Sequence, residues 1–284
     1  MEQEPTQIAP KQLIITADDV GLSEGINQAA HQLFCDGILT TVTMLMNFEA
    51  TEHAMQLLGA SPGLKAGVHL NLTDGYPLTD VPDGIGLTLS DGHFQPRTLL
   101  FPRSLFPSDD WKTAAEAEMK AQIEAFIAQR DQLPNHLTTH MHFHIMPSLR
   151  EMVFRLADNY GIPWVRVYQT SSTIIPYNFW VQQPDQLFQP DNDNMTPDYL
   201  TSVQAWLTQD PSFLVKTLRS LTGMTEIVVH PSIEVDDTYP IEMSHPPQAR
   251  FVEVGYIRQV VDLLREDEAN FVISDPADDT PRHA

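Results

Sequence analysis

The sequence predicts one α/β domain, a complete or incomplete (β/α) barrel of about seven parallel strands. Three observations carry this expectation. Short β-rich runs alternate with amphipathic runs of helical spacing, residues able to bind metal recur at the ends of the short runs, and 284 residues suit one such barrel. In that architecture the chemistry gathers at the C-terminal ends of the strands.

The elements follow in order. Residues 13–17, Leu-Ile-Ile-Thr-Ala, read as the first strand. Residues 24–36 read as a helix with Ile26, Ala29, Ala30, Leu33 and Phe34 on one face, stopped by Gly37. A strand at 41–46 and a helix at 49–58 repeat the unit. Further strands are expected at 66–72, 137–142, 164–167, 227–229 and 271–274, and further helices at 111–130, 148–160, 212–221 and 251–267. Two stretches break the alternation: 74–110, rich in Pro, Gly and Asp, and 169–211, which carries Tyr177, Phe179, Trp180, Phe188 and Tyr199. Both are long for barrel loops, which makes them candidates to cover the site. The barrel domain is expected at 12–276, between polar tails at 1–11 and 277–284.

With 16 Lys+Arg against 38 Asp+Glu, the net charge of −22 argues against nucleic acid or an anionic membrane as the main partner. A neutral or cationic small substrate fits better, although acidity also serves solubility. The single cysteine, Cys35, lies in the helical run 28–37 and reads as a buried small apolar residue; no disulfide within the chain is available. Residues 1–11 lack the basic and apolar regions of a signal peptide, and no apolar stretch reaches the roughly 18 residues needed to cross a membrane. The expected location is the cytoplasm, and a homodimer is compatible with the sequence.

The acid pair Asp18-Asp19 directly follows the first apolar run, and His69, His140 and His230 lie at or near the ends of later strands. Acids and imidazoles at strand ends suggest a divalent metal site of the hydrolase kind, with three protein ligands and a position for water. Where the pleat gives way to a turn, both acids can face the pocket, one to bind the ion and its neighbour to accept a proton from water. His140, His142 and His144 alternate, so on a strand they would share one face. His31, His53, His93 and His136 lack such context and read as surface or capping residues.

These residues sit in recognisable surroundings. Residues 13–23, then Gly25-Ile26-Asn27, Gly37-Ile38-Leu39-Thr40, residues 67–73 and Thr139-His140-Met141-His142-Phe143-His144 together resemble the YdjC-like carbohydrate deacetylases, which include chitooligosaccharide deacetylases. Gly161-Ile162-Pro163 and His230-Pro231 match similar pieces, and the resemblance runs from about Leu13 to Ser274. It implies a distorted (β/α) barrel and a metal-dependent hydrolase that removes acetyl groups from N-acetylated sugars, with one divalent ion, Mg²⁺ or Zn²⁺. On matching positions Asp19, His69 and His140 would be the metal ligands, Asp18 the general base and His230 the candidate general acid, with His142 and His144 as alternatives for that role. His142, His144 and Arg250 would line the substrate or support the ligands.

Three positions depart from the family pattern. Val20 stands for phenylalanine, Thr138 for an acid and Met141 for a histidine, which removes polar groups able to orient the ligands. Arg250 could orient Asp18, contact substrate or pair with Glu253 on the helix surface, and Asp275 would lie at the barrel mouth or cap a helix. A phosphoesterase or another amidohydrolase, and a sugar-binding protein without turnover, stay open. Scarce Lys and Arg near the motifs weigh against a phosphate substrate.

Overall fold

In the computed structural model, the described residues are 11–166, 196–233, 246–266 and 271–274. The strands are β1 (Lys11–Val20), β2 (Thr41–Met44), β3 (Lys65–Leu70), β4 (Leu137–Thr139), β5 (Tyr199–Ser202), β6 (Met224–Val229) and β7 (Phe271–Ile273). The helices are α1 (Glu24–Cys35), α2 (Thr51–Gly59), α3 (Arg97–Leu105), α4 (Asp109–Arg130), α5 (Pro147–Tyr160), α6 (Pro211–Ser220) and α7 (Pro247–Arg265). Every strand pair is parallel, in the order β4-β3-β2-β1-β6-β5, with β7 against the first residues of β1. A single bridge from Leu137 to Val165 extends the β4 edge.

The sheet curls strongly. In a flat sheet the Val165 segment would stand four strand spacings from β1, roughly 19 Å. Yet Arg166 bonds Asp18 on β1 at 2.6 Å and Glu226 on β6 at 2.7 Å, and Trp164 packs with Ile14 and Met224. Only a sheet rolled toward a barrel brings these side chains together. The expected distorted barrel of parallel strands is therefore borne out.

Alternation along the strands sorts the side chains. Leu13, Ile15 and Ala17 face outward into the main core with Ile26 and Leu33 of α1, Met119, Ile123 and Phe126 of α4, and Ile257 and Val260 of α7. The inward set is largely polar: Thr16, Asp18, Thr43, His69, Thr138, Arg166 and Glu226, all buried. Beneath them, Ile14, Trp164 and Met224 form a small apolar plug.

Several boundaries differ from the sequence reading. β4 stops at Thr139, and residues 140–145 instead form short helical turns broken by a kink, where Met141 and His142 take left-handed, non-helical φ of 53° and 52°. The three alternating histidines therefore do not share a strand face. α3 lies inside a stretch read as loop, because Pro102 within it breaks the helical signal. β5 lies in the other such stretch, a four-residue strand held by pairing with β6. The 164–167 strand reduces to one bridge at Val165, and Val167 lies outside the described residues. Outside them too are Tyr177, Phe179, Trp180, Phe188, Asp275 and both expected tails except Lys11, which opens β1.

Cys35 is exposed rather than buried. It follows the buried Leu33 by two positions, about 200° around the helix, and so faces away from the packed stripe. Among the described residues, no helix is long and apolar enough to cross a membrane.

Two substitutions test this packing. A Cβ at Gly67 would lie 2.5 Å from three atoms of the His136 ring, which is itself fully buried. Gly67→Ala is expected to cost about 1–3 kcal/mol and lower the melting temperature; an unchanged transition would show that the ring moves freely. Arg166→Met leaves Asp18 and Glu226 without their shared cation, and chemical denaturation should show a loss of about 3–5 kcal/mol.

Candidate metal centre

The site begins where β1 ends. Its pairing with β2 shifts register between Ala17 and Val20, and Asp19 adopts φ 62° inside that bulge. The irregularity turns successive acids toward the same pocket, as the sequence suggested for a strand end. Gly21, at φ 103°, continues the turn: a Cβ there would meet the Leu45 carbonyl oxygen at 2.5 Å. Its amide donates to the Asn27 side chain at 2.7 Å, which ties the turn to α1.

Asp19, His69 and His140 converge, each with one ligand atom within 4.8 Å of the others. His140 Nδ1 is 2.9 Å and His69 Nε2 3.4 Å from Asp19 Oδ1. The other Asp19 oxygen accepts a hydrogen bond from Arg250 at 2.6 Å. Asp19 Oδ1 is buried and accepts no hydrogen bond of proper geometry. Two imidazole nitrogens and a carboxylate oxygen, buried and aimed at one point, form a donor set that suits a divalent ion such as Zn²⁺.

Each ligand has an outer partner. His69 Nδ1 lies 2.6 Å from Thr138 Oγ1, so its Nε2 is left to face Asp19. Thr138 was expected to mark the loss of an orienting group; the hydroxyl instead fills that place. His140 Nε2 lies 3.1 Å from Asp74 Oδ2.

Asp18 stands beside this cluster with a different set of partners. Arg166 grips it with two bonds, 2.6 Å to Oδ2 and 2.9 Å to Oδ1, and Thr43 donates to Oδ1 at 3.2 Å. Burial alone would raise its carboxyl, but the Arg166 charge, helped by His69, holds it well below the usual carboxylate range. Burial likewise opposes ionisation of Asp19, and the His140 and Arg250 charges outweigh it. His140 itself, pushed down by burial but drawn up more strongly by Asp19, reaches about 10. His230, with its amide bonded to Glu253 at 2.8 Å, is lowered to about 4, mainly by burial.

The remaining expected residues fall nearby in other roles. His142 and His144 stand edge to face, and the His144 Nδ1 meets the Thr139 hydroxyl. Burial lowers the proton affinity of both, first of all causes. Arg250 is fully buried and bonds Asp19 rather than Asp18, and Glu253 is buried too, so neither forms a helix-surface pair. His136 is likewise fully buried, not a surface residue, because the bare Gly67 leaves room for its ring. His31 and His53 do bond local groups, Ser61 and Asn27, and His93 stacks near Tyr76 at 3.9 Å.

Sequence reasoning missed Arg166, Glu226 and Asp74. A usable signal existed for the first two: a charge inside a β-rich run, two positions from Trp164 in one case and one before Ile227 in the other. Asp74 follows the 67–73 motif directly but belongs to a loop, whose course periodicity does not predict. The scarcity of cations near the motifs is also corrected, since Arg166 and Arg250 both reach the site; each is already bonded to an acid.

The chain is similar to several known proteins. A carbohydrate deacetylase of Halalkalibacterium halodurans is 40% identical over 157 residues, covering 53% of this chain and 62% of that protein. A carbohydrate deacetylase of Geobacillus stearothermophilus is 35% identical over 156 residues, 54% of this chain and 59% of that protein. A chitooligosaccharide deacetylase of Escherichia fergusonii is 34% identical over 150 residues, 53% and 57% of the respective chains. The chain thus spans about three fifths of the length of the curated relatives it matches. The crystal structure of an Enterococcus faecalis V583 protein, provisionally described as a cellobiose-phosphate cleavage protein, has the same fold: TM-score 0.77, 24% identity, covering 94% of this chain and 98% of that one. Residues 12–280 match the model of the YdjC-like proteins, and the chain belongs to that family.

Proposed function

We propose that this protein is a metal-dependent hydrolase that removes the acetyl group from N-acetylated sugars or oligosaccharides of the chitooligosaccharide kind. The observation that carries this reading is the buried convergence of Asp19, His69 and His140 within 4.8 Å, beside a separately held, ionised Asp18. The names of the relatives, carbohydrate deacetylase and chitooligosaccharide deacetylase, support the substrate class. A neutral sugar also suits a chain of net charge −22.

Asp19, His69 and His140 would hold one divalent ion, Zn²⁺ or Mg²⁺. When bound, such an ion polarises a carbonyl oxygen and makes a bound water more acidic. Arg250 occupies one oxygen of Asp19 and so turns the other toward the ligand nitrogens. Asp18 accepts the proton that the attacking water gives up; Arg166 and Thr43 fix its carboxylate and keep it charged until then. An amine leaves poorly without a proton. Burial keeps His230 largely neutral at pH 7, with its value at about 4. His230, or one of His142 and His144, supplies the amine's proton, and the proton Asp18 takes from water keeps the turnover in balance. His142 and His144 are also held neutral, mainly by burial.

The test is acetate release from N,N′-diacetylchitobiose and related N-acetylated sugars by metal-stripped protein, with Zn²⁺, Mg²⁺, Co²⁺ or Ni²⁺ restored. Asp18→Asn should keep metal and lose about 10²–10⁴ in kcat. Asp19→Ala should lose metal and activity together, with affinity down about 100-fold or more. Loss of metal in both variants would contradict the division of roles, and sugar binding without acetate release would point to a binding protein.

Metal binding should also be pH-linked. In the empty site His140 carries a proton up to about pH 10, and a ligand nitrogen must be free of it. Affinity is therefore expected to rise between pH 6 and 9, by close to tenfold per unit from about one proton released. Titration calorimetry in buffers of different ionisation enthalpy measures that proton directly; pH-independent affinity would contradict the His140 assignment.

A further inference from the structure

We propose that Asp74 is a positioning residue of the metal centre, which holds the His140 imidazole with its proton on Nε2 and its lone pair on Nδ1 aimed at the ion. The inference rests on the metal reading above, although not on the reaction.

A neutral imidazole offers one donor and one acceptor nitrogen. His140 points Nδ1 at Asp19 Oδ1, 2.9 Å away, beside the His69 nitrogen, so Nδ1 is the ligand atom. Nε2 must then carry the hydrogen, and with the side chain only 4% exposed it needs an acceptor. Asp74 Oδ2 lies 3.1 Å from it, close enough for a charge-assisted bond although not ideally aligned. A carboxylate in that position both selects the tautomer and makes the imidazole a stronger ligand.

The chain invests heavily in placing this acid. Asn71 accepts from the Thr73 and Asp74 amides at 3.0 and 3.2 Å, and donates to the Asp74 carbonyl at 2.7 Å. Asn47 donates to the same carbonyl at 3.1 Å, and the Thr73 hydroxyl donates to Asp74 Oδ2 at 2.7 Å. The turn is anchored in its turn by α4: Gln122 bonds both the amide and the carbonyl of Asn71, at 2.8 and 2.7 Å. Glu118, one helical turn before Gln122, accepts from the amides of Leu78 and Thr79 at 3.0 and 2.9 Å. A solvated surface acid would need none of this.

The experiment is Zn²⁺ competition with a chromophoric chelator, using the 284-residue chain, stripped of metal, at fixed pH. Asp74→Ala is expected to bind Zn²⁺ about 10–100-fold more weakly than the wild type. Asp74→Asn, which keeps an acceptor in the same place, should recover most of that loss. Nitrogen-15 spectra of the Zn²⁺-loaded wild type should show the His140 proton on Nε2, with the signal identified by its absence in His140→Gln. Affinity of Asp74→Ala within twofold of wild type, equal weakness of the Asn and Ala variants, or a proton on Nδ1 would each overturn the proposal. Should Asp74→Ala fail to fold, the wild-type spectrum and Asp74→Asn decide. Wild-type protein that binds no Zn²⁺ overturns this inference together with the metal reading. Zn²⁺ binding without acetate release from any sugar overturns only the reaction.

Discussion

The guanidinium of Arg166 sits fully buried near the axis of the curled sheet, between Asp18 on β1 and Glu226 on β6. Its position ties three parts of the chain that lie far apart in sequence, and it can do so only while the sheet stays rolled. Taking three charges out of water is costly, and their mutual attraction offsets that cost only with close, well-directed bonds. Bidentate contact to Asp18 and a bond to Glu226, which also accepts from Thr16 at 2.7 Å, meet that condition. The same arrangement that closes the interior leaves Asp18 ionised beside the Asp19, His69 and His140 cluster, so fold geometry and site electrostatics share one interaction.

Convergence at the mouth of the barrel has a backbone cost. Among the described residues, the non-glycine positions with positive φ are Asp19, Asp131, Met141 and His142, and all but Asp131 belong to the site. Such conformations cost about 1–3 kcal/mol each where nothing local favours them, and they persist only where the surroundings enforce them. Here the enforcing contacts are visible: Arg250 on Asp19, and the Thr139 hydroxyl with His144 across the turn that delivers His140. A regular strand end could not turn both acids of the pair, and a regular β4 could not present His140 alone.

The polar interior also explains how outer elements reach the centre. α4 turns Glu118 and Gln122 inward where an ordinary amphipathic helix would place apolar residues, and both are fully buried. Their bonds hold the turn after β3, and that turn carries Asp74 to His140. Changes on α4 would thus reach the Asp19, His69 and His140 cluster without touching those three residues.

Much of this protein was legible in its sequence. The alternation of strand and helix periods fixed the class of fold, because each period follows from local backbone geometry and from which face must be buried. The candidate site was also legible in part, since Asp18-Asp19, His69, His140 and His230 each lie at or near the end of an apolar run, where a parallel barrel exposes its functional groups; the choice of Asp19, His69 and His140 among them came from the family resemblance. Local signals could not reach further. Pro102 masked α3, the brevity of β5 hid it, and the turn at His140 overrode an alternation that suited a strand. Which groups partner the acid pair and the histidines was decided by tertiary structure alone. Thr138 on His69, Asp74 on His140, Arg250 on Asp19 and Arg166 on Asp18 are separated from their partners by up to 231 residues. The roll of the sheet brings these pairs into contact, and a one-dimensional pattern does not encode that closure.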